Sequence, residues 1–168
     1  MRRRYLVLSA ITCIAFAISG CGQQKEVNLQ GSHIGVIQTS GYNKDSGITF
    51  YDENLNKIHT EKMKYATLGE IFNTPVIQDN KLYTIPQGYA FEKDEEKALE
   101  LDLSNLNKKE YKIEQLAING VAADDQYIYT YNTGSEGSYI TRCKKEDNAI
   151  KDIKLVISTL VIFCVTNI

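Results

Sequence analysis

The stretches ITFYDENLNKI (residues 48–58) and LELDLSNLNKKEYKI (residues 99–113) carry the same tetrapeptide, Asn-Leu-Asn-Lys, in the same setting. In both, an apolar-polar alternation ending in aspartate leads into the tetrapeptide, and another alternation follows. Alternation with a period of two marks a strand with unlike faces, and asparagine suits the left-handed backbone of a tight hairpin. Each stretch therefore reads as strand, turn, strand, with Asn54, Asn56, Asn105 and Asn107 as turn formers. A degenerate third copy is KEDNAIK, residues 145–151.

A second repeat lies just outside the hairpins. PVIQDNKLYTI (residues 75–85) aligns with GVAADDQYIYTY (residues 120–131) after one insertion, pairing Val76 with Val121, Leu82 with Ile128 and Tyr83-Thr84 with Tyr129-Thr130. The period is about 45 residues, in the range of propeller blades. The unit is four short strands, near residues 75–78, 81–86, 97–103 and 109–115 in the second copy and 120–123, 126–132, 138–143 and 149–155 in the third. The first copy supplies three, near residues 33–39, 47–52 and 57–65. The last strand of a unit, such as KKEYKIEQ, is the most charged, as suits an outer edge that must repel other edges. Helix propensity makes a helix the alternative over residues 92–106, and residues 66–72 suit a helical turn between units. The predicted fold class is all-β, a partial β-propeller of about two to three four-stranded antiparallel blades behind a helical signal peptide.

The chain opens on Met1 and three arginines, Arg2 to Arg4, before an uncharged apolar run, which is the layout of a secretory signal peptide. That run is too short to span a bilayer. It ends in Ile18-Ser19-Gly20-Cys21, which resembles the lipobox of bacterial lipoproteins. The resemblance implies cleavage between Gly20 and Cys21 and a diacylglyceryl group on the Cys21 thiol, so that membrane lipid is a partner through acylated Cys21. An ordinary signal peptide followed by a disulfide cysteine is the alternative. Two acyl chains hold a protein stably where one does not. The expected divisions are a lipoprotein signal peptide (1–20), the lipidated cysteine and a polar tether (21–31), incomplete propeller repeats (32–154) and an apolar tail (155–168). The expected location is the cell membrane, lipid-anchored and facing the extracytoplasmic side.

ITFYDENLNKI also resembles the surface repeat of bacterial propellers of the YVTN and quinoprotein-dehydrogenase-like superfamily, in which a strand ending in aspartate runs through an Asn-Lys turn into the outer strand. The likeness covers roughly residues 34–155. The chain departs from it in having no tryptophan and in showing under three units, whereas a closed ring uses about four to eight blades. The tail, residues 155–168, holds no charge after a densely charged stretch, and reads either as a buried strand or as a segment foreign to the fold of a truncated propeller.

Removing the signal takes three basic residues and no acid, moving the formal charge from -2 to -5. An acidic body argues against nucleic acid as a partner. Cys143 and Cys164 read as small buried apolar residues, with a disulfide between them as the alternative. His33 and His59 share no motif with a nucleophile or carboxylate, and no spacing suits a metal or a phosphate loop, so neither a catalytic residue, a metal nor a cofactor is expected. The loops between the second and third strands of each unit should gather on one face. They offer Tyr42, Asn43 and Asp45, Gln87 and Tyr89, and Glu136 as ligand-binding candidates for a protein, peptide or sugar; the plainer reading is Gly-rich turns. The leading expectation is a non-catalytic binding or scaffold lipoprotein. The alternatives are a remnant or subunit of a quinoprotein-like propeller enzyme and a module that closes a ring from several chains.

Overall fold

A computed structural model of the chain describes residues 27–39, 46–69, 75–87, 96–115, 117–134 and 137–156. The described residues contain strands and no helix. The predicted helical signal peptide lies outside them.

Three antiparallel sheets follow one another along the chain. The first holds β1 (Ile34–Gln38), β2 (Gly47–Tyr51) and β3 (Lys57–Lys62) in sequence order. After a short β4 (Thr67–Leu68), the second holds β5 (Val76–Gln78), β6 (Lys81–Thr84), β8 (Lys97–Asp102) and β9 (Lys108–Lys112), with β7 (Pro86–Gln87) interposed in the chain and paired instead with β4. The third holds β10 (Ile118–Ala123), β11 (Tyr127–Gly134), β12 (Gly137–Lys144) and β13 (Ile150–Leu155). Sheets of three to four antiparallel strands in this succession are the blades of a partial propeller, as the repeat predicts. The charged strands β3, β9 and β13 each end their sheet.

Two helical alternatives give way to strands. Residues 97–102 form β8 and not a helix, because every residue from Ala98 to Leu101 is buried and a strand offers its alternate side chains to two neighbouring sheets at once. The helical turn expected over residues 66–72 gives way at Thr67–Leu68 to β4, which pairs Leu68 with Pro86. Pairing with a distant segment overrides local propensity here.

The second blade is apolar on both faces. Leu82, Leu99 and Leu101 pack with Ile48, Phe50 and Met63 of the first blade. Tyr83, Ala98 and Tyr111 pack with Val121, Ile128 and Cys143 of the third. Cys143 is a fully buried free thiol, as expected of a small apolar residue. Gly47 is needed for a close approach: a Cβ there would sit 2.9 Å from the Glu61 carbonyl oxygen across the β2–β3 pair.

The repeated tetrapeptide makes a similar hairpin twice, one residue longer in the second copy, but its asparagines do not take the left-handed position. Leu55 and Leu106 do, at φ 62° and 59°. The asparagines instead supply hydrogen bonds. The Asp52 carboxylate accepts from the backbone of Asn54 and Asn56 and from the Asn56 amide, while Asn105 Oδ1 accepts from the Asn107 backbone. The third copy follows the spacing of the second: the Lys144 N–H donates to the Ala149 carbonyl as Asp102 does to Asn107, and Asn148 holds the left-handed place at φ 59°.

A leucine in this conformation is strained by roughly 1–2 kcal/mol, which Leu106 offsets by being buried and Leu55, 67% exposed, does not. Leu55→Gly should therefore stabilise the protein by about 1 kcal/mol. Leu106→Gly should destabilise it by about 2 kcal/mol or more, since its core contacts are lost. Denaturant midpoints of the two variants moving in the same direction would refute this reading of the hairpin.

Candidate functional site

Most of the sequence-predicted ligand-binding residues, Tyr42, Asn43, Asp45, Tyr89 and Glu136, lie outside the described residues, as do Gly20 and Cys21. Gln87 is described, and it stands in β7, opposite Thr67 of β4. It is thus a paired strand position, where the sequence suggested a free loop. His33 is exposed beside β1, as expected. His59 is half-buried in β3, with Nε2 shut off from solvent and 3.6 Å from Glu61 Oε2, because β3 turns that side toward the second blade.

Two features absent from the sequence reading arise where blades meet. The first is a cleft of about 550 Å³ between the first and second blades. Ile34 and Ile37 of β1 and Phe50 of β2 face Ile77 and Leu82 of the second blade across it. Ile37 and Phe50 share one face of the first blade, as Ile77 and Leu82 share one face of the second. Ser32 also lines the cleft, and its hydroxyl is cut off from solvent and has no partner among the described residues. The opening admits an apolar group carrying one polar atom, such as a side chain of a bound peptide.

The second is a polar cluster between the second and third blades. Glu100 is only 6% exposed. Its carboxylate accepts hydrogen bonds from Lys81 Nζ at 2.7 Å and from the Tyr111 hydroxyl at 2.8 Å. From the third blade, Lys145 donates to the Tyr83 hydroxyl at 2.6 Å and lies over that ring, while Lys109 of β9 lies over Tyr111 and donates to the Lys145 carbonyl. Burial works to raise the pKa of Glu100, yet the hydrogen bonds from Lys81 and Tyr111 hold it below the ordinary glutamate value. Burial and the facing Glu100 charge push both tyrosines well above the ordinary range, and burial, aided by Lys81, lowers Lys145. The Glu100 carboxylate thus stays ionised between two phenols that stay protonated. The cluster's hydrogen bonds and ring contacts join the second blade to the third.

A second join ties the outer strands of the first and second blades. Lys108 Nζ lies 2.6 Å from Glu61 Oε1, and Glu110 takes Lys97 Nζ at 3.0 Å together with the Tyr65 hydroxyl. Among the described residues, no group of histidine, cysteine and carboxylate side chains could hold a metal ion, and no helix is long and apolar enough to cross a membrane. No protein-family model and no curated protein matches this chain.

Because the folded pKa of Glu100 is depressed, its contribution to stability is present above the unfolded glutamate value of about 4.3 and is lost as pH falls through the folded value. Glu100→Gln should lower stability at pH 7 by about 1–2 kcal/mol. The same variant should show a smaller drop in stability between neutrality and acid pH than the parent. Equal acid dependence in the two proteins, followed by calorimetry, would show that Glu100 is not held as its contacts indicate.

Proposed function

We propose that the protein is a lipid-anchored, extracytoplasmic binding or scaffold protein whose propeller-type blades present a recognition surface and perform no reaction. The observation that carries the anchor is Ile18-Ser19-Gly20-Cys21 behind a basic and then apolar leader. The binding role draws support from the apolar cleft between the first two blades. The cluster around Glu100 is bonded within itself, which favours a structural role for the one deeply buried acid among the described residues. A peptide with an exposed apolar side chain is the ligand class that fits the cleft. The Tyr42, Asn43, Asp45, Tyr89 and Glu136 loops remain candidate contacts for such a ligand, and nucleic acid is not proposed.

Radiolabelled fatty acid should enter the wild-type protein and not Cys21→Ala; labelling retained in the variant would remove the anchor. For the cleft, an apolar fluorescent dye should brighten on binding the protein. Ile77→Asp, at an exposed position on the cleft wall, should weaken that response several-fold, and Ile153→Asp, on an exposed position of the third blade, should leave it unchanged. A dye response indifferent to Ile77→Asp would sink the assignment.

A further inference from the structure

Charge is divided between two surfaces of the blades. Successive strands run antiparallel, so the tight turns at residues 52–56, 79–80, 103–107, 124–126 and 145–149 lie at one end of their sheets. The two turns of the second blade touch there through the Leu103 N–H and the Asn80 carbonyl, and those of the third through the Lys145 N–H and the Gln126 carbonyl. Together the turns hold seven carboxylates and one lysine, a formal -6.

The outer strands of the first two blades have the opposite sign. Residues 57–64 and 108–112, which include β3 and β9, carry six lysines and two glutamates, a formal +4. Both glutamates are already paired, Glu61 with Lys108 at 2.6 Å and Glu110 with Lys97 at 3.0 Å. Lys57, Lys62 and Lys112 are exposed, and none forms an ion pair among the described residues. Protection against edge-to-edge pairing accounts for charge on an outer strand. It does not call for one sign there and the other on the turns beside it.

The first described residue lies against this basic edge. Val27 lines a groove with His59, Lys62 and the Asn105–Asn107 turn, and packs onto the core between the first two blades. Cys21 stands six residues earlier, and six residues reach at most about 20 Å. An acyl group on Cys21 therefore keeps the groove, and the lysines of β3 and β9 that flank it, close to the bilayer. Two surfaces near Val27 could meet the lipid, and charge decides between them: anionic headgroups attract the lysines and repel the turns.

We propose that the outer edges of the first and second blades rest on anionic lipid headgroups through Lys57, Lys62 and Lys112, with the acidic turns held off the bilayer. The placement rests on the proposed lipid anchor. The apolar cleft draws most of its lining from β1, β2, β5 and β6, away from the outer strands β3 and β9, so this posture leaves it open to a ligand from the aqueous side.

The test is lysine reactivity. The full chain is bound to preformed vesicles of phosphatidylcholine, alone or mixed with phosphatidylglycerol, and lightly acetylated, and each lysine is quantified by mass spectrometry. Acetylation of Lys57, Lys62 and Lys112 should be several-fold slower on the anionic vesicles and should recover at about 1 M salt, where charges are screened within about 3 Å. Lys81, which lies on β6 and pairs with Glu100, should react alike on both. Flotation of the vesicles separates this docking from the anchor. Protein that floats with both vesicle types and shows equal rates at the three lysines would overturn the docking and leave the anchor standing, and slowing of Lys81 to the same degree would also overturn the docking. Protein that floats only with the anionic vesicles, its three lysines slowed, would remove the anchor and support the docking. Flotation with neither would overturn both.

Discussion

The structure depends on the second blade burying both of its faces at once. In β8, the run Ala98-Leu99-Glu100-Leu101 sends successive side chains to opposite sides, and both sides are interior. Leu99 and Leu101 belong to the core shared with the first blade, Ala98 to the core shared with the third. A four-stranded sheet has too little area to be stable as a single covered surface, and this one gains apolar burial twice for the same ordered backbone. The first and third blades are held chiefly through it.

That arrangement explains why a carboxylate sits in the core. Alternation along β8 places Glu100 on the face toward the third blade, where an unpaired charge would be costly to bury. Lys81 on β6 and Tyr111 on β9 flank it within its own sheet, so the blade brings the charge and its partners together before the next blade covers them. The third blade adds Lys145, which donates to the Tyr83 hydroxyl and lies over that ring. Polar groups in this position fix how far one blade slides along the next, because a shift would part Lys145 from the Tyr83 hydroxyl and Lys109 from the Lys145 carbonyl.

The strand pattern was legible because it is local. Alternation, Asn-rich turns and the 45-residue echo between Tyr83-Thr84 and Tyr129-Thr130 are all recorded in neighbouring residues, and the sheets fall where they indicate. What sequence could not show is what depends on distant partners. The β4–β7 ribbon is two residues on each side, too short for periodicity, and exists because Leu68 meets Pro86. The cleft is formed by side chains from separate blades, none conspicuous alone. The burial of Glu100 in LELD was not legible, since period two says which residues share a face and not whether both faces are covered. The left-handed leucines were hidden for a different reason: asparagine has the intrinsic preference, but in these hairpins its amide is worth more as a donor to Asp52 or an acceptor for Asn107.

Each outer hairpin satisfies its own turn with groups drawn from a handful of adjacent residues. Asp52 serves its loop, Asn105 and Asp102 serve theirs, and Asp147 accepts from the Ala149 backbone in the last. The closing bonds of these turns come from within each hairpin, and the second and third hairpins add one backbone bond each to the inner turn of their own blade, Leu103 to Asn80 and Lys145 to Gln126. A cassette with that property can be copied within a gene and fold at its new location from the first generation, leaving selection to refine only the surfaces where successive copies touch.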